Sequence, residues 1–190
     1  YKELLNFCTV DLSAFYFDIR KDCLYCDPVN SDKRQSVILL LKIILNALLK
    51  WFAPILSFTT EEIYKLVSKK KSIHLEKFAD FPIKFENKTL SLKWIELNKI
   101  RDLCNISIEE KRSAKIIGSS LEASLKIKLD KTNLELAKDI DFAELCITSS
   151  AIIEMNNDNK ISVVTEKIKG NKCPVCWKIS SEPCPRHEQK

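Results

Sequence analysis

The sequence is nearly without glycine and histidine. Gly118 and Gly170 are the only glycines among 190 residues. A phosphate-cradling loop or a dinucleotide fingerprint needs several glycines in one turn, so that backbone N–H groups can approach phosphate, and neither can be written here. His74 and His187 are the only histidines. His187 falls inside a metal-ligand pattern, which leaves His74 as the sole candidate for a Ser-His-Asp arrangement. It stands in Ser72-Ile-His-Leu-Glu76, a polar-apolar stretch where a surface or packed histidine is the expectation. No catalytic residue is expected. Long apolar runs are missing too. Val37–Leu49 comes nearest, but Lys42 and Asn46 interrupt it, so it reads as a buried helix and not a membrane span. No signal peptide is recognisable, and the chain starts at Tyr1, without Met and already inside an amphipathic pattern. It is expected to be a piece of a larger protein.

What is present is ordinary for a globular chain: 45% hydrophobic and 30% charged residues can build and solvate a core. The formal charge of +5 is a mild excess. It is concentrated near the end, where residues 160–190 hold seven Lys or Arg against three Glu, which points to an anionic partner.

The strongest signal lies in Lys172-Cys-Pro-Val-Cys-Trp-Lys-Ile-Ser-Ser-Glu-Pro-Cys-Pro-Arg-His187. Cys173 and Cys176 are two residues apart, and so are Cys184 and His187 after a seven-residue loop. Two such turns can converge on one ion and complete the tetrahedral set of a closed structural zinc site. Pro174 and Pro185 each follow the first ligand of a pair, where a fixed φ helps to hold the turn. With all four positions filled by protein, the zinc is expected to build structure and do no chemistry. The alternative for a C-x2-C pair is a redox couple. The other five cysteines, Cys8, Cys23, Cys26, Cys104 and Cys146, show no disulfide framework, and a reducing cytoplasm is expected. Cys23-Leu-Tyr-Cys26 repeats the C-x2-C spacing, but no further ligand pair is left for it.

Along the chain, Leu4, Leu5, Cys8, Leu12, Phe15 and Ile19 recur at helical spacing, and Asp27-Pro28 stops that helix. Asp32 is expected to cap a helix over 33–53, with an apolar surface wide enough for the centre of a bundle, and Pro54 to kink or end it. Thr59-Thr-Glu-Glu62 reads as a capping box for a short helix to Val67. Lys69–Lys71 reads as a solvated loop, and 73–88 as a connection. A helix over 90–115 carries Trp94, Leu97, Arg101, Cys104 and Ile108 near one stripe, with Gly118 as its terminator. Beyond it, Leu125, Ile127 and Leu129 alternate with lysines as a strand, 132–141 reads as a helix, and 145–148, 151–155 and 161–168 read as strands. The fold expected is a mainly α helical bundle (1–117), then a small α/β module (118–169), then a terminal zinc knuckle (170–190).

Four stretches are familiar. Asp11-Leu-Ser-Ala-Phe-Tyr-Phe-Asp-Ile-Arg-Lys-Asp-Cys-Leu-Tyr-Cys26, Ala53-Pro-Ile-Leu-Ser-Phe-Thr-Thr-Glu-Glu-Ile63, Ile117-Gly-Ser-Ser-Leu-Glu-Ala123 and Lys172-Cys-Pro-Val-Cys-Trp177 resemble, in order, blocks of the C-terminal region of bacterial isoleucyl-tRNA synthetases. The resemblance implies a helical anticodon-binding domain and a knuckle that grip the anticodon stem and loop of tRNA(Ile), in a parent enzyme that joins isoleucine to its tRNA using ATP. The signature motifs of the family's nucleotide-binding domain are absent, so this chain alone is not expected to aminoacylate. His187 stands where the family usually has a last cysteine, and Val175 where it commonly has arginine. Arg186 matches a basic position of the second turn.

Sequence-specific RNA recognition works on splayed loop bases, by stacking and by hydrogen bonds to exposed edges. Trp177, beside a ligand, is either a stacking platform or a packing residue across the knuckle. Lys172, Lys178 and Arg186 are candidate phosphate contacts. The chain is thus expected to be a monomeric tRNA-binding fragment of isoleucine-tRNA ligase. Two other readings are a zinc-finger DNA-binding module and a zinc-stapled structural or protein-docking domain; the glycosylases that carry a similar finger need an N-terminal proline, and Tyr1 is not one.

Overall fold

The computed structural model describes residues 1–158 and 160–187; the last three positions of the expected knuckle, 188–190, and residue 159 lie outside the described residues. The chain opens with α1 (Lys2–Asn6), runs through a π-helical stretch (Phe7–Phe17) and continues as α2 (Asp18–Cys26). Next come α3 (Asp32–Phe52), α4 (Ser57–Val67) and α5 (Lys88–Ser113). Then follow β1 (Ala123–Leu129), α6 (Lys131–Ala137), α7 (Phe142–Leu145), β2 (Ser150–Met155) and β3 (Ser162–Lys167). A two-stranded ribbon of β4 (Asn171–Lys172) and β5 (Ile179–Ser180) completes the order. The expected class, helices first and then a small α/β module with a cysteine-rich end, is what the structure has.

Two compact units share these elements: one is formed by residues 1–26 and 87–190, the other by residues 27–86. The first unit is built on β1, which is central in the order β2-β1-β3, parallel to β2 and antiparallel to β3. Period-two alternation puts Ala123, Leu125, Ile127 and Leu129 on one face, and all four are buried. Helical spacing puts Leu97, Ile100, Cys104 and Ile108 on one face of α5, and the two faces form one core with Ile19, Phe142 and Leu145. Phe15 meets Trp94 edge-on at 6.0 Å, and the Arg101 guanidinium lies 5.1 Å from the Phe15 ring centre.

Helix ends depart from expectation where a better cap stands nearby. The α5 terminator is Lys115, at φ 56°, and not Gly118. The Lys115 and Ile116 N–H groups donate to the Arg112 and Lys111 carbonyls at 2.9 and 3.0 Å, which satisfies the last turn before the glycine is reached. The strand expected over 145–148 is absent. Asp141 accepts from the Ala143 and Glu144 N–H groups and starts the short helix α7 instead, after which Ile147 turns the chain at φ 55°.

In the second unit Ser31, and not Asp32, caps α3, accepting from the Arg34 N–H at 3.2 Å. Asp32 occupies the first turn, where its charge complements the helix dipole. The capping box at Thr59 does not form: α4 begins at Ser57, and the Thr60 hydroxyl turns back to the Leu56 carbonyl at 2.9 Å. Leu49, Ala53, Tyr64 and Ile73 make this unit's small core. Glu61 ties the loop down by accepting from the Ser72 hydroxyl and the Ile73 N–H, both at 2.9 Å. The expected burial of α3 on all sides is not found. Leu39, Leu40 and Ile43 are 62%, 41% and 45% exposed, although α4 and the 73–75 turn pack on other parts of the helix and Trp51 meets the Phe81 ring at 6.1 Å. Among the described residues α3 alone is long and apolar enough to cross a membrane by length and composition, with a mean hydropathy of 1.6.

Candidate metal centre

Four side chains from the last fifteen described residues converge. The Sγ atoms of Cys173, Cys176 and Cys184 and a ring nitrogen of His187 all lie within 4.8 Å of one another. Each half-site is a tight turn closed by its own backbone: Trp177 N–H donates to the Cys173 carbonyl at 3.0 Å, and His187 N–H to the Cys184 carbonyl at 3.1 Å. The β4–β5 pairing, Lys172 opposite Ile179, holds the first turn at its base, with Cys173 N–H on the Lys178 carbonyl at 2.9 Å. Gly170 is required where the ribbon begins: its φ is 145°, and an added Cβ would collide with the Ser180 carbonyl.

The spacings suit a metal ion. Ligands at ordinary zinc distances around a tetrahedron stand about 3.8 Å apart for two sulfurs and about 3.6 Å for sulfur and nitrogen. Cys176 and Cys184 Sγ are 3.8 Å apart, and His187 Nδ1 is 3.4 Å from Cys173 Sγ and 3.3 Å from Cys184 Sγ. A disulfide would need about 2.05 Å. The imidazole is also correctly set: Nε2 lies 2.9 Å from the Cys26 carbonyl, which can only accept, so Nε2 carries the proton and Nδ1 offers its lone pair to the centre. That contact, which favours the protonated ring, raises the His187 pKa. Burial works to raise Cys173, but the Cys176 and Val175 N–H groups outweigh it and bring the thiol to about 6. Burial pushes Cys176 up to about 11. A group of three sulfurs and one nitrogen can hold a metal ion, and when bound it would cross-link the two turns.

The residues expected to touch RNA lie around this centre in different states. Trp177 takes a left-handed φ of 65° that turns its ring outward, and it is 59% exposed. Lys172 Nζ sits 5.0 Å from its ring centre. Trp177 and Val175 also edge an apolar cavity of about 370 Å³ with Ile19, Leu121 and Ile147, and Lys178 stands at its rim. Arg186 is engaged elsewhere. Its Nη1 and Nη2 donate to the two carboxylate oxygens of Asp22 at 2.8 and 3.0 Å. Burial works to raise the Asp22 pKa, and the Arg186 hydrogen bonds outweigh it, so the carboxyl stays below its usual range.

Sequence reading missed Asp22, the Cys26 carbonyl and Ser149, whose hydroxyl accepts from Ile179 N–H at 2.7 Å. No local pattern marks them. Cys23 and Cys26 are not a second half-site: they stand on α2, with Cys23 buried and the Cys26 thiol donating to the Val175 carbonyl at 3.8 Å. His74 is exposed, with Nε2 3.2 Å from the Ser57 carbonyl, a surface position.

Comparison with known proteins supplies the family. The family described as "Anticodon-binding domain of tRNA ligase" matches residues 1–128. The isoleucine–tRNA ligase of Pelagibacter ubique is 64% identical over 188 residues, which are 98% of this chain and 21% of that protein. Those of Rhodopseudomonas palustris and Methylacidiphilum infernorum are 39% and 41% identical over 94% and 95% of the chain, in each case 19% of the relative. The chain therefore spans about a fifth of the length of these curated relatives. With a helical first part that matches this family and a cluster of three cysteines and a histidine at its end, the chain belongs to the anticodon-binding domains of tRNA ligases, in a form similar to the isoleucine enzymes over nearly all of its length.

Proposed function

We propose that this chain is the part of an isoleucine–tRNA ligase that recognises the anticodon stem and loop of tRNA(Ile). The observation that carries it is the 64% identity to an isoleucine–tRNA ligase along 98% of the chain. The helical segment 1–117 holds the stem, the module 118–169 spaces the parts, and the knuckle 170–190 meets the loop, with Zn²⁺ on Cys173, Cys176, Cys184 and His187. The parent enzyme joins isoleucine to its tRNA using ATP; this part supplies binding and orientation, and its residues contribute no chemistry. It acts as a monomer in the reducing cytoplasm, where thiolates stay free to ligate metal.

The exposed Trp177 ring supports stacking on an unstacked loop base, and it supports the packing alternative less, because more than half of the side chain faces solvent. Lys172 and Lys178 flank it as phosphate contacts. Arg186 reaches RNA only by releasing Asp22. Binding of the zinc-loaded chain to isoleucine tRNA is compared with binding to the same tRNA carrying a swapped anticodon, at one stated salt concentration. A preference for the cognate anticodon is expected. Equal, salt-sensitive binding to both would refute direct anticodon reading by this part.

A further inference from the structure

The metal ligands are all within one short stretch, but the groups that orient them are not. Residues 186 and 187 are consecutive, and each is fastened to α2: Arg186 by a two-pronged ion pair to Asp22, His187 by Nε2 to the Cys26 carbonyl. Asp22 and Cys26 are four residues apart, so they share one face of the helix. The Asp22 and Arg186 side chains are only 26% and 29% exposed, which separates this pair from the solvated surface bridges such as Lys21–Asp18. A third tether joins the Cys26 thiol to the Val175 carbonyl of the first half-site.

We infer that α2 is the outer support of the metal centre, and that Asp22 is a positioning residue for the metal: through Arg186 it fixes the second turn so that His187 meets the Cys26 carbonyl and presents Nδ1 to the ion. Carbonyl and carboxylate partners of this kind set ring orientation and ligand basicity, and losing one weakens metal binding by about 10–100-fold. The helix end thereby contributes to metal affinity although none of its side chains is a ligand. Zinc loading and the seating of the knuckle on α2 become one linked equilibrium, since a group that binds only the seated form stabilises it.

The test uses the whole chain and the metal alone. Zn²⁺ affinity is measured by competition with a chromophoric chelator, and the cobalt-substituted protein is read by its visible absorption, which reports the ligand field. Asp22→Ala is expected to lower Zn²⁺ affinity about 10-fold with all four ligands in place, and to alter the cobalt bands. Asp22→Glu is expected to restore most of the loss, and the exchanged pair Asp22→Arg with Arg186→Asp part of it. Lys21→Ala, on the same helix but solvated, is expected to change neither readout. If Asp22→Ala does not fold by circular dichroism, the isosteric Asp22→Asn decides instead. A folded variant with Zn²⁺ affinity and cobalt bands like the parent's would overturn the inference. A parent chain that takes up no metal would overturn the metal centre and this inference with it, leaving the RNA reading to its own test.

Discussion

Cys23 and Cys26 have the same two-residue gap as Cys173 and Cys176, but the first pair stands on a helix and the second on a tight turn. On α2 residues three apart are neighbours, but Cys23 is wholly buried in the interior and the Cys26 thiol is given to the Val175 carbonyl at 3.8 Å. On the turn, Trp177 at φ 65° reverses the backbone, and both sulfurs point to one centre that Cys184 and His187 close from the other side. The same spacing gathers a four-group cluster here only on the turn, where Cys184 and His187 stand close by; among the described residues no such partners converge on Cys23 and Cys26. The helical pair serves the same centre by another route, because its backbone carbonyl, and not its sulfur, orients the histidine.

The largest separation of the two pairs is expected from metal removal. A structural zinc contributes about 10–16 kcal/mol to folding so small a loop. A chelator is therefore expected to unfold the knuckle and leave the β1 core standing, seen as loss of amide protection confined to residues 171–187. Acid should do the same. Bound thiolates carry no protons, so metal retention must fall as pH falls, and a retention curve rising toward low pH would contradict the ligand set.

Next in size is Cys23→Ser, which places a hydroxyl in a fully buried site. A cost of about 1–3 kcal/mol is expected in denaturant unfolding, with one metal per chain unchanged; metal loss would make the helical pair a ligand pair after all. Trp177→Ala is expected to weaken tRNA binding by about 1–3 kcal/mol, one stacked base, while zinc stays bound. Loss of zinc with it would give Trp177 to packing. The smallest effect is expected of Cys26→Ser, within about 0.5 kcal/mol in stability and with metal content intact, since His187 uses the carbonyl of that residue and not its thiol.

The convergence of Cys173, Cys176, Cys184 and His187 could be read from the sequence because the four are local: two turns, two gaps, one short loop. The periodicities of α5 and β1 were equally legible, since a helix or strand that buries one face must repeat its apolar residues at the helical or strand period. Legibility ended where neighbouring residues competed for one role. Ser31 and Asp32 both suit a helix cap, and geometry chose the serine. Lys115 took the left-handed turn three residues before the glycine that suits it better, because the carbonyls of the last turn of α5 were there to be satisfied.

The sequence by itself determined the mainly helical class and the family, and it named the four residues whose side chains converge into a group that could hold a metal, for these rest on short-range spacing and on stretches that survive as continuous text. Only the tertiary structure decided that Arg186 turns to Asp22, that Cys26 lends a carbonyl and that α3 keeps an uncovered apolar face. Contacts between residues 161 positions apart leave no periodic trace in either partner, because each depends on where the rest of the chain brings the other.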